Sequence, residues 1–415
     1  MEMAGSRRRR LFALALAGIA LLVGLLVAQA RSASQSSTAG TQTFHVSVDG
    51  SAKGANETFI AYFPNQLRVH PGDKVVFAWH GPGEPHTVTF GTDIDAVLSA
   101  FDKLKPAQQQ NPPKSVIALD AKVPELLPQG PGDAIQDAAN PCFIASGTVP
   151  ANAACPKGDS SQPAFDGTQA YYNSGWKDPG QSFTISISSG TKPGAYQFMC
   201  LLHREGMTGK LNVVSSSTPI PSPSAVSAAG ARELAKNQAG LASALKALRQ
   251  GKPPIPVTLP GKNVVLAGSG APGSSDVGSI SEFGPKTIKV PVGGSVIWYL
   301  IGPHSITFDA TKTDDDVRSV APNGTVHLNP KALAPAGGPG EPSKPLTGGT
   351  QQKLKFAVVA SSTWNGKGFH SSGVFGNSDP PNIEGYKLTF THAGTYHYIC
   401  TVHDNMKGTV VVGNG

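Results

Sequence analysis

Charged residues are scarce in this chain: Asp, Glu, Lys and Arg make up 15% of its 415 residues. Beyond residue 30, the remaining 30 of the 34 basic residues are scattered and form no cluster with aromatic residues, so nucleic acid is not an expected partner. Beyond residue 30, no apolar run is long enough to cross a membrane. The sequence is instead rich in turn formers, with 48 Gly and 35 Pro, and its length suffices for two or three domains.

Residues 1–30 have the features of a targeting segment. Four arginines at positions 7–10 precede an apolar run from Leu11 to Val27, which ends in the small-residue pattern Ala28-Gln-Ala30. The run is slightly long for a signal peptide and slightly short for a bilayer span, so two readings stay open. We favour a cleaved signal peptide over an N-terminal anchor that would associate the protein with the membrane through residues 11–30. Either reading predicts an exported protein that is periplasmic, at the cell surface or secreted.

Only four cysteines are present, and they occur in two different settings. Cys142 and Cys155 share one loop rich in Pro, Gly and Ala, where an oxidising compartment would favour a disulfide; two free thiols are the alternative. Cys200 and Cys400 each lie in a copy of one motif. In both copies an aromatic-rich strand is followed by Cys, two residues, His, two or three residues, Met and a second strand.

The residue types of this repeated motif indicate a metal. The two copies read Cys200-Leu-Leu-His203-Arg-Glu-Gly-Met207 and Cys400-Thr-Val-His403-Asp-Asn-Met406. A thiolate, an imidazole and a thioether on one tight turn form a soft ligand set, which suits copper far better than magnesium or calcium.

A trigonal copper centre needs a second imidazole, and each half of the chain has a candidate upstream. His86 and His304 both follow a β-type run and a Gly/Pro turn, so each is predicted at the start of the next strand. His80 lies six residues before His86 and could compete with it as a ligand.

With these residues in place, both halves of the chain resemble the cupredoxins, the blue copper proteins, and most closely plastocyanin-type modules. The resemblance covers roughly half the chain; outside the motifs, the segment from Phe63 to Trp79 aligns with that from Phe283 to Trp298. It implies an all-β fold of two Greek-key cupredoxin β-sandwich domains joined by a linker with one amphipathic helix. It also implies two sets of copper ligands: His86, Cys200, His203 and Met207 in the first domain, and His304, Cys400, His403 and Met406 in the second.

The predicted boundaries follow the motifs and the changes in composition. A first copper domain is expected over 41–215 with an insertion at about 92–170, and a second over 255–415 with an insertion at about 310–370. Between them, a Pro/Ser spacer and helix are expected over 216–254. The helix is predicted from Ala231 to Gln250, with a leucine stripe that packs on one sandwich. A shorter helix, Asp93 to Leu104, is predicted within the first insertion.

The resemblance implies a protein that carries single electrons, with one type 1 copper ion per domain, two in total, cycling between cuprous and cupric states. Its donor and acceptor would be redox proteins that the sequence does not identify. Copper nitrite reductases and two-domain laccases need further coppers, bound by His residues beside the Cys and by His-x-His pairs. Here Met199 and Leu201 flank Cys200, and the sequence contains no His-x-His pair. A non-enzymatic protein is therefore expected, with extracytoplasmic copper binding or buffering as the alternative to electron transfer.

Overall fold

The computed structural model describes residues 40–50, 56–81, 85–109, 111–123, 134–135, 163–253, 259–270, 278–310, 318–320, 326–333, 335–336, 355–376, 382–403 and 405–413. The predicted targeting segment and the loop with Cys142 and Cys155 lie outside these residues. Within them, no helix combines the length and the apolar character needed to span a bilayer.

Strands dominate both halves of the described chain. The first half contains β1 (Thr43–Val48), β2 (Glu57–Phe59), β3 (Tyr62–Phe63), β4 (Gln66–Val69), β5 (Lys74–Trp79), β6 (Thr89–Phe90), β7 (Ala134–Ile135), β8 (Tyr172–Asn173), β9 (Ser182–Ser186), β10 (Gly194–Cys200) and β11 (Arg204–Val213). The second half contains β12 (Val264–Gly270), β13 (Gly278–Gly284), β14 (Thr287–Pro291), β15 (Ser295–Leu300), β16 (Thr307–Phe308), β17 (Arg318–Val320), β18 (Val326–Leu328), β19 (Pro335–Ala336), β20 (Lys355–Trp364), β21 (His370–Ser372), β22 (Asn382–Phe390), β23 (Gly394–Ile399) and β24 (Lys407–Gly413).

The helices of the described residues are few and mostly short. They are α1 (Thr92–Phe101), α2 (Pro106–Gln109), α3 (Lys114–Asp120), α4 (Pro223–Arg249) and α5 (Pro330–Leu333). The first three fall in the predicted insertion of the first half, where α1 matches the predicted helix closely.

Two sheets form a sandwich in the first half. Their strand orders are β3-β1-β5-β9 and β4-β11-β10-β6-β8. Along β5, Val75, Phe77 and Trp79 point into the core while the intervening residues are less buried. This alternation has the two-residue period of a strand that buries one face, so the sequence pattern itself selects the inward side.

The second half repeats this arrangement with longer strands. Its sheets have the orders β2-β13-β12-β15-β22-β20 and β14-β24-β23-β16-β21-β19. Val296, Trp298 and Leu300 of β15 enter its core. The edge strand β20 falls within the segment predicted as the second insertion, yet it pairs with β22 along its length. The prediction of an all-β fold with two sandwiches is confirmed.

Two strands of the first half pair with strands of the second. β2 adds to the edge of the second sandwich by antiparallel pairing with β13, with Phe59 opposite Gly278. β7 joins a small sheet of order β17-β18-β7. The two halves therefore share backbone hydrogen bonds in addition to the connecting helix.

The connecting helix is longer than predicted and contacts both sandwiches. It begins at Pro223, a residue suited to the first helical position, and the Ser222 hydroxyl accepts a hydrogen bond from the N–H of Ala225 over 3.3 Å. Leu241 and Leu248 enter a cluster with residues of both halves. The prediction that it packs on one sandwich was wrong, because the helix contacts β1 and β3 of the first half as well as β12 and β13 of the second.

Candidate metal centres

In each half, three separate elements bring the motif residues together. His86 forms an isolated antiparallel bridge with Lys177, and His304 forms one with Phe375. Cys200 ends β10, and Cys400 directly follows β23. We call His86, Cys200, His203 and Met207 the first centre, and His304, Cys400, His403 and Met406 the second centre.

The nitrogen and sulfur atoms of each centre converge. In both centres the two imidazoles and the Cys contribute ligand atoms that all lie within 4.8 Å of one another. In the second centre, the Nδ1 atoms of His304 and His403 lie 3.7 and 3.5 Å from the Cys400 Sγ and 3.2 Å from each other. Two ring nitrogens and a sulfur that face one point form a site for a shared cation.

The first centre has the same geometry. The His86 Nδ1 lies 3.8 Å from the Cys200 Sγ, and the rings of His86 and His203 have centroids 5.0 Å apart. The corresponding rings of the second centre are 4.8 Å apart. The structure thus brings together the Cys and both His residues that the sequence predicted for each half.

Exposure separates the two imidazoles within each centre. His86 and His304 are buried, whereas His203 and His403 are half-buried. Met207 and Met406 are fully buried, each in the core that also contains the Cys of its half. His80, the predicted competitor, is exposed and does not belong to the group of His86, Cys200 and His203.

Both sulfurs accept a hydrogen bond from the backbone. The N–H of Thr87 donates to the Cys200 Sγ, and the N–H of Ser305 donates to the Cys400 Sγ, each over 3.4 Å. A polar donor at a buried sulfur favours the thiolate and is a known means of tuning a metal–sulfur site.

The imidazoles favour the thiolate as well. Burial alone would raise the pKa of the Cys200 thiol, but the hydrogen bonds and charges of His203 and His86 outweigh it and hold that pKa well below its usual range. His304 and His403 outweigh burial in the same way at Cys400 and lower its pKa. Because the thiolate is the form that binds metal, both sites are prepared for a soft cation.

One polar contact of the first centre was not predicted from the sequence. Asp49, directly after β1, is fully buried, and its Oδ2 lies 3.4 Å from the Nε2 of His86. Its Oδ1 accepts hydrogen bonds from the N–H groups of Gly50 and Phe59, each over 2.5 Å. A single Asp at the end of a strand carries no sequence motif, so only the fold reveals this neighbour of the predicted ligand.

The surroundings consequently shift the pKa values of the two buried imidazoles in opposite directions. Burial lowers the pKa of His86, but the hydrogen bond to Asp49 and the interactions with Cys200 outweigh it and raise the pKa to about 10. His304 faces the carbonyl oxygen of Ile301 at 3.1 Å instead, and burial lowers its pKa. The centres share their ligand types but not their surroundings.

The helical insertion of the first half packs beside the loop of the first centre. Val97 and Leu98 of α1 contact the cluster that contains Met199 and Leu201, the neighbours of Cys200. A salt bridge also joins Arg204, which follows His203, to Asp120 of α3. Beside them, a cleft of about 380 Å³ is lined in part by Ile117 and Gly206. The insertion therefore covers part of the surface next to the first centre.

Several solved structures are similar to part of this chain. The auracyanin of Roseiflexus castenholzii matches with 19% identity and a TM-score of 0.21, over 42% of this chain and 98% of that protein. Auracyanin A of Chloroflexus aurantiacus matches with 14% identity and a TM-score of 0.20, over 42% and 100%. The purple cupredoxin of Nitrosopumilus maritimus matches with 13% identity and a TM-score of 0.18, over 41% and 99%. All three are cupredoxins.

No protein-family model and no curated protein matches the chain. Each structural match covers about two fifths of this chain and has a low TM-score, so the fold assignment rests on the sheets and on the two His-Cys-His groups.

Proposed function

We propose that this chain is an exported type 1 copper protein with two centres that carries single electrons between redox proteins. The observation that carries the proposal is the pair of His-Cys-His groups, each with a fully buried Met in the same core as its Cys. Two imidazoles and a thiolate with a more distant thioether are the ligands of blue copper centres. Copper bound there would accept and release one electron by cycling between its cupric and cuprous states.

The chain's own residues support this role in three ways. The imidazoles and the backbone N–H of Thr87 or Ser305 stabilise each thiolate. Met207 and Met406 are fully buried in the cores that contain Cys200 and Cys400, where each would supply the thioether of its centre. The half-buried His203 and His403 leave one ring edge of each centre near the surface, where an electron could pass to a partner.

Copper content and spectra of the chain from about residue 31, loaded with cupric ion, test the proposal. We expect one copper at Cys200 and one at Cys400, intense visible absorption from thiolate ligation and only type 1 paramagnetic resonance signals. Both centres should cycle reversibly in a redox titration. Colourless protein that binds copper without reversible cycling would favour copper buffering, and a second signal type would favour an enzyme.

Single substitutions assign the signals to the centres. Cys200→Ser and Cys400→Ser should each remove the colour of one centre and leave the other. His86→Gln should also bleach the first centre, whereas His80→Gln, a matched change at an exposed imidazole six residues away, should leave it unchanged. Full colour in either Cys variant would contradict the proposal for that centre.

A further inference from the structure

The strand β2 belongs to the first half of the sequence but is held by both halves of the molecule. It leaves the first half to pair with β13, with Glu57 opposite Ile280 and Phe59 opposite Gly278. All three of its residues are buried, and the Phe59 ring packs edge-on against Phe63 at 6.0 Å between centroids. A buried and paired strand of this kind is a rigid connection rather than a linker.

One end of this strand reaches the first centre through a single side chain. The N–H of Phe59 donates to the Oδ1 of Asp49 over 2.5 Å, and the Oδ2 of the same carboxylate lies 3.4 Å from the Nε2 of His86. Asp49 and His86 are both completely buried, so water does not interrupt this contact.

The other end reaches the loop of the second centre. The Asn56 side chain donates from Nδ2 to the carbonyl oxygen of Asn405 over 3.0 Å. Asn405 lies between His403 and Met406, and the N–H of Met406 donates to the His403 carbonyl over 2.9 Å. Between Asn56 and Phe59 the chain advances three residues, roughly 10 Å of extended strand. Hydrogen bonds and covalent bonds thus connect a ligand of one centre with the ligand loop of the other.

The two centres differ in the residue at the position of Asp49, where β2 contacts the first centre. Val46 pairs with Phe77 in β1 and β5, and Val265 pairs with Trp298 in β12 and β15. Three residues after these valines, the first half has Asp49 and the second has Gly268. The two residues therefore occupy corresponding positions in the two sandwiches.

A carboxylate has no room at the second of these positions. Asp49 and Gly268 both adopt positive φ, 58° and 83°. A Cβ at Gly268 would lie 2.3 Å from the Nε2 of His304, and that nitrogen faces the Ile301 carbonyl instead. A carboxylate is a stronger acceptor than a carbonyl and raises the basicity of the imidazole that it contacts. A more basic imidazole stabilises the cupric ion more than the cuprous ion, so it lowers the reduction potential of the copper that it binds.

We propose that strand β2 couples the two centres and that Asp49 makes the reduction potential of the first centre the lower of the two. One electron then passes from the first centre to the second. In this step the first copper is oxidised from cuprous to cupric and the second is reduced from cupric to cuprous; no bond forms or breaks and no proton moves. The inference rests on the proposed function, since it requires two copper centres that cycle.

The order of the centres is tested by adding one electron equivalent per chain to the fully cupric protein. The second centre should bleach first and the first centre should keep its cupric signal, with the Cys200→Ser and Cys400→Ser proteins as spectral references. We expect a preference of about tenfold or more for the second centre, which corresponds to about 59 mV for a one-electron couple. Bleaching of the first centre before the second would overturn the proposal.

In Asp49→Asn, the added electron should be shared more equally between the two centres. Asp49→Gly, which gives the first centre the residue found in the second, should have the same effect. Asp73→Asn is the matched control, because Asp73 is also a buried carboxylate that accepts two backbone hydrogen bonds, from Gln42 and His70, but lies away from the ligands. The control should leave the distribution unchanged. If both Asp49 variants bind two coppers and keep the original order, Asp49 does not set it.

The coupling is tested by reducing a small fraction of the centres with a rapid pulse and following the spectra. We expect the electron to redistribute at a rate that does not depend on protein concentration. Asn56→Leu should slow this phase several-fold, whereas Asn212→Leu, which removes a similar amide-to-carbonyl bond to Leu67 within one sandwich, should not. An unchanged rate in Asn56→Leu would exclude the strand as the connection.

The two proposals fail in different ways. Loss of reversible cycling or of either blue centre in the unaltered chain would overturn the proposed function. Two reversible centres whose redistribution is proportional to protein concentration would leave that function intact and overturn only the coupling through β2.

Discussion

The backbone N–H of Thr87 donates to the Sγ of Cys200 over 3.4 Å, across 113 residues of sequence. The side-chain Oγ1 of the same Thr87 accepts a hydrogen bond from the N–H of Leu201 over 2.8 Å. Ser305 makes both contacts around Cys400, with the N–H of Thr401 at 2.9 Å as its donor. In each half, the residue after the buried His thus makes two hydrogen bonds: its N–H donates to the Cys sulfur, and its hydroxyl accepts from the N–H of the residue after the Cys.

Thr87→Val should destabilise the metal-free protein and perturb the first centre. The substitution keeps the shape of the side chain but leaves the buried N–H of Leu201 without its acceptor, which costs about 1–3 kcal/mol in the free energy of unfolding. Urea denaturation measures this loss. Thr191→Val is the control: it removes a buried hydroxyl that donates to the Phe165 carbonyl, so it should change stability but not the spectrum of the first centre. Unaltered stability in Thr87→Val would refute the expectation.

Gly268→Ala should weaken copper binding at the second centre. Its Cβ would lie 2.3 Å from the His304 Nε2 and 2.5 Å from the Ile301 carbonyl oxygen, so the imidazole must move. Gly293→Ala separates this clash from backbone strain, because Gly293 has a similar φ of 77° but open space around it. In both variants the free energy of unfolding should fall by roughly 1–2 kcal/mol, because alanine is strained at a positive φ. Only Gly268→Ala should reduce the copper content and the type 1 signal of the second centre; equal effects of the two variants would argue against the clash.

Leu248→Ala should destabilise both sandwiches together. Leu248 is fully buried in the cluster shared by the helix, Phe59, Phe63 and residues of the second half. Truncation of a leucine in such a site costs about 2–5 kcal/mol in the free energy of unfolding. Denaturation monitored at each copper centre should show one transition at a lower urea concentration, whereas the exposed Lys246→Ala on the same helix should change little. Two separate transitions in the unaltered protein would show that the shared cluster does not unite the halves.

Copper should stabilise the folded chain and its removal should reverse the effect. In each centre the first His is distant in sequence from the Cys-x-x-His turn and meets it only in the native fold, so the unfolded chain lacks the assembled site. At a free copper concentration about a hundredfold above the dissociation constant, the gain is about 2.7 kcal/mol for one site. Thermal unfolding with and without a chelator measures it. His86→Gln should abolish the contribution of the first site, and a full copper effect in that variant would count against His86 as a ligand.

The sequence by itself determined the two Cys-x-x-His turns and the kind of fold. Cys200, His203 and Met207 lie within eight residues, so a single turn between two strands brings them together whatever the rest of the chain does. The alternating apolar residues of β5 and β15 select the buried face of each strand, because side chains on a strand point to opposite sides in turn. Local periodicity and short spacing are sufficient for both inferences.

These patterns did not predict which residues of β5 and β15 occupy equivalent positions in the two sandwiches. The sequence alignment set Trp79 against Trp298, but the structure gives Trp298 the place of Phe77: Phe77 contacts Phe90 and Phe198, and Trp298 contacts the corresponding Phe308 and Tyr398. The two halves differ in loop length before these strands, and matching residue types do not reveal such a shift. Only the backbone pairing of each sheet does.

Tertiary structure alone decided how the two centres differ and how they are joined. Asp49 approaches His86 across 37 residues because β1 and β5 run side by side, and Asn56 approaches Asn405 across 349 residues because β2 crosses to the other sandwich. Neither contact has a periodicity or a spacing that a sequence could display. Both depend on the packing of whole sheets: the Asp49 contact is buried, so the carboxylate has His86 rather than water as its partner, whereas the Asn56 contact lies at the surface.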